Sequence, residues 1–309
     1  MGTPRFAVPS LRALVSAGHD VVAVVTQPDK PKGRGRRTAP PPVKCEAVSH
    51  GIQVLQPAKI RTDEFALCLE GLEPEVVCVV AYGKILPKRV LDIPPRGCIN
   101  VHASLLPKYR GAAPVNWAII RGERTTGVTT MLMDEGMDTG DILLQRQVAI
   151  EDDDAETLAE RLSHVGAELL VETLEALERG ALTPRPQDDS AATYAPMLKK
   201  EMGLIDWSRD AEEIRNLVRG LRPWPGAYTQ WGEKTLKVIR AVVAQGEGRP
   251  GEVIEASTSL VVAAGRGALR IEELQLEGSK RMGAADFLRG HRIETGTVLG
   301  SGGEGSRKG

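Results

Sequence analysis

The chemistry open to this chain is concentrated at Asn100 and His102. They lie in Gly97-Cys98-Ile99-Asn100-Val101-His102-Ala103-Ser104-Leu105-Leu106-Pro107. Ile99 to Val101 has the character of the end of a short buried strand. Alternate strand residues point to opposite faces, so Asn100 and His102 share one face and Val101 takes the other. Pro107 prevents simple continuation of the strand. An amide and an imidazole thus stand side by side at a strand end, where the ligand crevice of an open α/β sheet lies. A carboxylate loop, Met137-Asp138-Thr139-Gly140-Asp141, follows a second apolar strand. Amide, imidazole and carboxylate from two strand ends suit acyl transfer with neither a metal nor a covalent intermediate. The first two hold a developing oxyanion, and the carboxylate orients and charges the imidazole.

The elements that must position these groups follow from patterning. Ser10 to Gly18 has a helical apolar face, and Val21 to Val25 is an apolar β-branched run suited to a buried parallel strand. Val43 to His50 (helix), Val54-Leu55 (strand), Asp63 to Glu70 (helix) and Val76 to Ala81 (strand) continue the alternation. This predicts an α/β fold, a doubly wound parallel sheet of Rossmann type. Pro114 to Gly122 is expected as a helix, Gly127 to Met133 and Ile142 to Ile150 as strands. Ala155 to Arg179 is a long amphipathic helix stopped at Gly180. Proline-bearing polar sequence then separates a catalytic domain (1–182) from a smaller domain (202–300), with a linker at 183–201. The smaller domain has one helix near Asp210 to Leu221. Short strands follow at Ala227 to Trp231, Thr235 to Ala241, Gly251 to Ala256, Leu260 to Ala263 and Leu269 to Leu276, then a short helix at Ala284 to Leu288. That pattern suits a small β-barrel. Residues 301–309 are Gly- and charge-rich, as in a disordered tail.

Composition bounds the rest. The chain has 309 residues, 41% hydrophobic, with net charge −1, ordinary for a soluble two-domain protein. The longest apolar run, Val76 to Tyr82, is far short of the ~18 residues of a membrane span. No secretory signal pattern opens the chain. Cys45, Cys68, Cys78 and Cys98 are scattered without a CxxC pair, so reduced thiols in the cytoplasm are expected. Cys98 has no evident activating base and suits a small buried hydrophobe. His19, His50, His164 and His291 are given structural or surface roles. Asp134, Glu135 and Asp141 shape turns and lack calcium-loop spacing.

One stretch is strongly cationic. From Gln27 to Lys44 the chain carries Lys30, Lys32, Arg34, Arg36, Arg37 and Lys44, interspersed with prolines and glycines that argue against regular structure. A charge run alone is usually a solvated loop. This one leaves the carboxyl end of a strand on the edge that carries Asn100 and His102, where a cationic loop suits a phosphate-backbone ligand. Gly33-x-Gly35 is not a dinucleotide fingerprint, because the pattern is incomplete and no helix opens there. Arg215, Arg219 and Arg222 have helical spacing and form either a basic stripe or a solvated face.

Asn100-Val101-His102, Ser104-Leu105-Leu106-Pro107 and Met137-Asp138-Thr139-Gly140-Asp141 together resemble the signature of the folate-dependent formyltransferases. Gly2-Thr3-Pro4, Gln27-Pro28-Asp29, Tyr109-Arg110-Gly111-Ala112-Ala113-Pro114, Ile205-Asp206-Trp207, Pro223-Trp224-Pro225 and Gly290-His291-Arg292 continue it over nearly the whole chain. The resemblance implies transfer of a formyl group from 10-formyltetrahydrofolate to the α-amino group of methionyl initiator tRNA, for translation initiation. It selects Asp138 as the carboxylate that joins Asn100 and His102. Ser104, Leu105, Leu106 and Pro107 become part of the folate wall. The basic loop and Lys199 become RNA contacts, and the second domain an OB-like one. No metal, no membrane partner and a monomer are expected. A sibling enzyme acting on a glycinamide or amino-sugar nucleotide would use the same three residues. A folate- or RNA-binding protein without catalysis is the remaining alternative. In the resembling family an apolar run precedes the Gly2-Thr3-Pro4 turn as a central strand, whereas here only Met1 does. The expectation is an absent first strand, unpaired backbone beside it and a slot in the core, with Met1 an internal methionine of a longer chain or the start of a truncated one.

Overall fold

The computed structural model describes residues 1–32 and 37–300, apart from the side chains of Lys32 and Arg37. In chain order the elements are α1 (Val8–Ser16), β1 (Val24–Val25), β2 (Lys30–Lys32), β3 (Arg37–Ala39), α2 (Pro42–Ser49), β4 (Val54–Leu55), α3 (Asp63–Glu70), β5 (Val77–Val79), α4 (Lys88–Leu91), β6 (Cys98–His102), α5 (Pro114–Ile120), β7 (Thr125–Leu132), β8 (Ile142–Ala149) and α6 (Ala155–Glu178). Then come α7 (Ala211–Gly220), β9 (Ala227–Trp231), β10 (Lys234–Ala244), β11 (Val253–Ala256), β12 (Leu260–Ala263), β13 (Ala268–Leu276), β14 (Met282–Gly283) and α8 (Ala284–Gly290). Two compact units result. The first comprises Met1–Pro114, Thr125–Ala149 and Leu158–Pro196; the second comprises Val115–Arg124, Ile150–Thr157 and the chain from Met197 onward. Of the stretch expected as a linker, residues 183–196 fall in the first unit and 197–201 in the second.

Local sequence explains the first unit's helices. Thr62 caps α3, its hydroxyl accepting from the Phe65 amide, and Asp63 and Glu64 lie in the favourable first turn. Pro9 and Pro42 sit at the openings of α1 and α2, where a missing N–H costs nothing. Leu158, Leu162, Leu169 and Leu170 of α6 are buried. Gly166 brings that helix close to the sheet, since a Cβ there would stand 2.8 Å from the Val101 side chain and 3.4 Å from Val128. Helix α6 thus covers the Val101 face of β6 and leaves the Asn100 and His102 face open to other partners.

The sheet departs from the expectation of all-parallel strands. β5 and β6 are parallel, but β6–β7 and β7–β8 are antiparallel, giving the order β5-β6-β7-β8. Among the described strands β1 pairs only β4, in parallel, as a separate two-stranded sheet. The strand expected over Val21–Val25 shrinks to Val24–Val25, and Val22 is 42% exposed. Val76–Ala81 likewise shortens to Val77–Val79. The physical reason is the gap between the two runs, a cavity of about 510 Å³ lined by Leu11, Val22, Val24, Val76, Val77 and Leu174, among others. Only the first two residues cross it. The Gly2 amide donates to the Val25 carbonyl (3.0 Å) and the Val80 amide to the Met1 carbonyl (2.8 Å). The slot expected beside the Gly2-Thr3-Pro4 turn is therefore present.

The basic loop is also more regular than its prolines and glycines suggest. β2 and β3 form an antiparallel arm with Lys30 opposite Ala39 and Lys32 opposite Arg37. Arg34 and Arg36 lie outside the described residues, as does the tail expected at 301–309.

The second unit is an antiparallel sheet in the order β11-β12-β13-β10-β9, with β14 on β13. Its core gathers Trp207, Ile214, Leu236, Leu260, Leu274 and Phe287. The Trp207 indole donates to Thr229 Oγ1 at 3.0 Å, satisfying a buried donor. His291 stacks on Phe287 with ring centroids 4.6 Å apart, in keeping with a structural role.

Candidate active site

Asn100 and His102 keep their shared face despite the change of sheet direction, since Asn100 pairs with Met131 and His102 with Thr129 on β7. Asn100 is half-buried and His102 buried. The imidazole is held from both ends. Its Nε2 lies 3.0 Å from the Tyr109 carbonyl, which can only accept, so Nε2 carries a proton. Its Nδ1 lies 3.6 Å from Asp138 Oδ1, an ion-pair distance beyond a hydrogen bond. With Nε2 committed to the Tyr109 carbonyl, Nδ1 is the ring nitrogen left near Asp138.

Asp138 takes the left-handed conformation, φ 56°, uncommon for a residue with a side chain. Its second oxygen accepts from the Gly111 amide at 2.8 Å. Gly111 itself has φ 121°, and a Cβ there would meet the Ala195 carbonyl at 2.8 Å, so only glycine brings this amide to the carboxylate. The loop before β8 and the turn after β6 thus meet at one carboxylate.

The residues expected to line a folate site divide. Ser104 is buried, its hydroxyl donating to the Lys108 carbonyl at 2.6 Å. Leu106 is buried in a small cluster with Met131 and Ile142, its amide donating to Thr129 Oγ1 at 3.1 Å. Leu105 and Pro107 are half-buried, and these two offer apolar surface.

Among the basic residues, Lys30 is exposed, its ammonium on Gln27 Oε1 at 2.6 Å. Lys44 is engaged: its Nζ donates to both Asp29 oxygens and to Gln56 Oε1 at 2.7–2.9 Å, tying the base of the arm to the strand end at Leu55. Asp29 is held below the usual carboxylate range by the Gln56 amide and by Lys44. Lys199 is exposed and belongs to the second unit. The stripe reading of Arg215, Arg219 and Arg222 does not hold. Arg215 and Arg222 pair with Asp152 and Asp154, and Arg219 donates to the carbonyls of Glu151 and Asp153. All three arginines are bound to the acidic segment ahead of α6.

Burial pushes the Cys98 thiol up to about 12 and the Cys78 thiol to about 11. Neither is a thiolate at neutral pH, which excludes them as nucleophiles.

Sequence reasoning missed Arg110 and Gln187. Arg110 is 3% exposed, its guanidinium on Gln187 Oε1 (2.8 and 3.1 Å) and Asp189 (2.7 Å). The run Tyr109 to Pro114, part of the resembling pattern, signalled Arg110. Nothing in the polar stretch after α6 signalled Gln187.

The formyl transferase family profile matches residues 1–174, and the profile of the formyl transferase C-terminal domain matches residues 197–292. The chain is 59% identical to the methionyl-tRNA formyltransferase of Citrifermentans bemidjiense over 97% of this chain and 95% of that protein. It is 56% identical to that of Caldanaerobacter subterraneus subsp. tengcongensis over 97% and 98%. Among solved structures it resembles WlaRD, a sugar 3N-formyl transferase, with a TM-score of 0.67 at 17% identity over 90% and 97% of the two chains. HypX of Aquifex aeolicus, solved with tetrahydrofolic acid, gives 0.59 at 23% identity over 80% and 44%. These two likenesses bear on the fold alone. With both profiles matched and such relatives along nearly its full length, the chain belongs to the formyl transferase family.

Proposed function

We propose that this enzyme transfers the formyl group of 10-formyltetrahydrofolate to the α-amino group of methionyl initiator tRNA. The observation that carries the chemistry is the convergence of Asn100, His102 and Asp138 on one side of β6, with His102 Nδ1 aimed beside the Asp138 carboxylate. The relatives above carry the choice of acceptor. The amine attacks in its neutral form, and its nitrogen bonds to the formyl carbon. The carbonyl oxygen becomes an oxyanion that accepts from the Asn100 amide and from the His102 imidazolium. Asp138 stabilises that imidazolium, and a water beside it carries the amine's proton away. The bond from the formyl carbon to the folate nitrogen then breaks, and that nitrogen takes a proton.

Leu105 and Pro107 form part of the folate wall, with Ser104 and Leu106 holding their turn. Lys30, Lys32, Arg34, Arg36 and Arg37 of the arm contact the RNA backbone, with Lys44 anchoring the arm's base; Lys199 and the domain over 202–300 contribute further RNA contacts. The chain works in the cytoplasm as a monomer and without a metal.

The test is formylation of alternative acceptors. Methionyl initiator tRNA should turn over, while an amino-sugar nucleotide and a glycinamide nucleotide should not; the reverse order would overturn the acceptor assignment. Changing Lys30, Lys32 and Arg37 to Ala should weaken tRNA use and flatten its salt dependence, leaving folate binding as it was. Equal losses toward both ligands would assign the arm to the folate pocket.

A further inference from the structure

Gln187 lies outside every motif in the sequence, yet its side chain makes four hydrogen bonds around the Asp138 loop. Its Nε2 donates to the carbonyls of Asp138 (2.8 Å) and Gly140 (2.7 Å), the two that flank Thr139. Its Oε1 accepts from Arg110 Nε (3.1 Å) and Nη2 (2.8 Å). The orientation of the amide is unambiguous, because a guanidinium only donates and a carbonyl only accepts. Arg110, nearly fully buried, thus fixes the direction in which Gln187 presents its two protons.

The same segment buttresses the other end of the imidazole. The Arg110 amide donates to the Thr193 carbonyl and the Ala195 amide to the Arg110 carbonyl, both at 2.8 Å, while the Tyr109 amide donates to Thr193 Oγ1 at 2.9 Å. Tyr109 supplies the carbonyl that holds His102 Nε2. A left-handed non-glycine residue persists where its surroundings over-determine it, and Gln187 grips the main chain on both sides of that turn.

We infer that Gln187 is a positioning residue for formyl transfer, holding the Asp138 carboxylate at His102 through the clamp Arg110–Gln187–Asp138 carbonyl. This rests on the reading of His102 and Asp138 as the working pair. A carboxylate at this position keeps the contact to Arg110 but cannot donate to the two loop carbonyls, so the loop is released without removing this partner of the buried Arg110. Misplacement of a catalytic group by about 1 Å costs on the order of 100-fold in rate.

The experiment is a double-mutant cycle on single-turnover formyl transfer. Gln187→Glu and Gln187→Met should each lower kcat by roughly 10- to 100-fold and leave KM for both substrates unchanged. Added to Asp138→Asn, neither should slow the enzyme further, because Gln187 acts through that carboxylate. If Asp138→Asn is slow while both Gln187 variants match the wild type, the inference falls and the catalytic reading stands. The inference also falls, alone, if Gln187→Glu costs an equal factor with and without Asp138→Asn, which is what a merely structural role gives. If Asp138→Asn transfers at the wild-type rate, the reading of the pair falls and the inference with it.

Discussion

Strands β6 and β1 belong to the same compact unit and meet opposite fates. β6 is paired on one side with β5 and on the other with β7, and its far face lies against α6. β1 is paired with β4 alone, and beyond it lies the slot, bridged by Met1 and Gly2. Asn100 and His102 stand on the strand that is paired on both sides, and Asp138 reaches them from the loop before β8. The cationic arm stands on the side that is less completely paired, with Lys44, Asp29 and Gln56 serving as its local tie. On the proposed reading, the fully paired strand is where an oxyanion must be met, and the arm has only to present charge to a polyanion.

Asn100→Ala separates the two strands most clearly. Removal of one oxyanion donor from a fixed strand should slow the chemical step by roughly 10²–10³-fold, with melting temperature and folate binding nearly unchanged. If the rate loss came with an equal loss of folate affinity, Asn100 would be a binding residue and β6 would not be the preorganised side.

A smaller effect should come from the slot. A short apolar segment fused ahead of Met1 should raise the melting temperature by filling the slot. A segment that leaves the melting temperature unchanged would show that the slot is not a strand site.

The sequence made some of this legible and hid the rest for physical reasons. Asn100 and His102 could be placed together because strand parity is local. Helix α3 could be bounded to the residue because Thr62 and Gly71 mark its ends. Asp138 needed a family motif to stand out from Asp134, Glu135 and Asp141, since a left-handed turn is not written in composition. The antiparallel run of β7 and β8 was hidden because pairing direction depends on partners, not on the strand's own residues. Gln187 was invisible for the same reason: it is one polar residue in a polar, proline-rich stretch, and its importance comes from carbonyls 47 and 49 positions away.

On the proposed mechanism His102, held between the Tyr109 carbonyl and Asp138, carries the oxyanion during transfer to the tRNA amine. Single-turnover formylation of methionyl initiator tRNA by His102→Ala beside the wild type, both saturated with 10-formyltetrahydrofolate, tests this. A fall in the transfer rate by at least about 10²-fold, with tRNA and folate affinities retained, is the expected result. Transfer at the wild-type rate would contradict that role for His102.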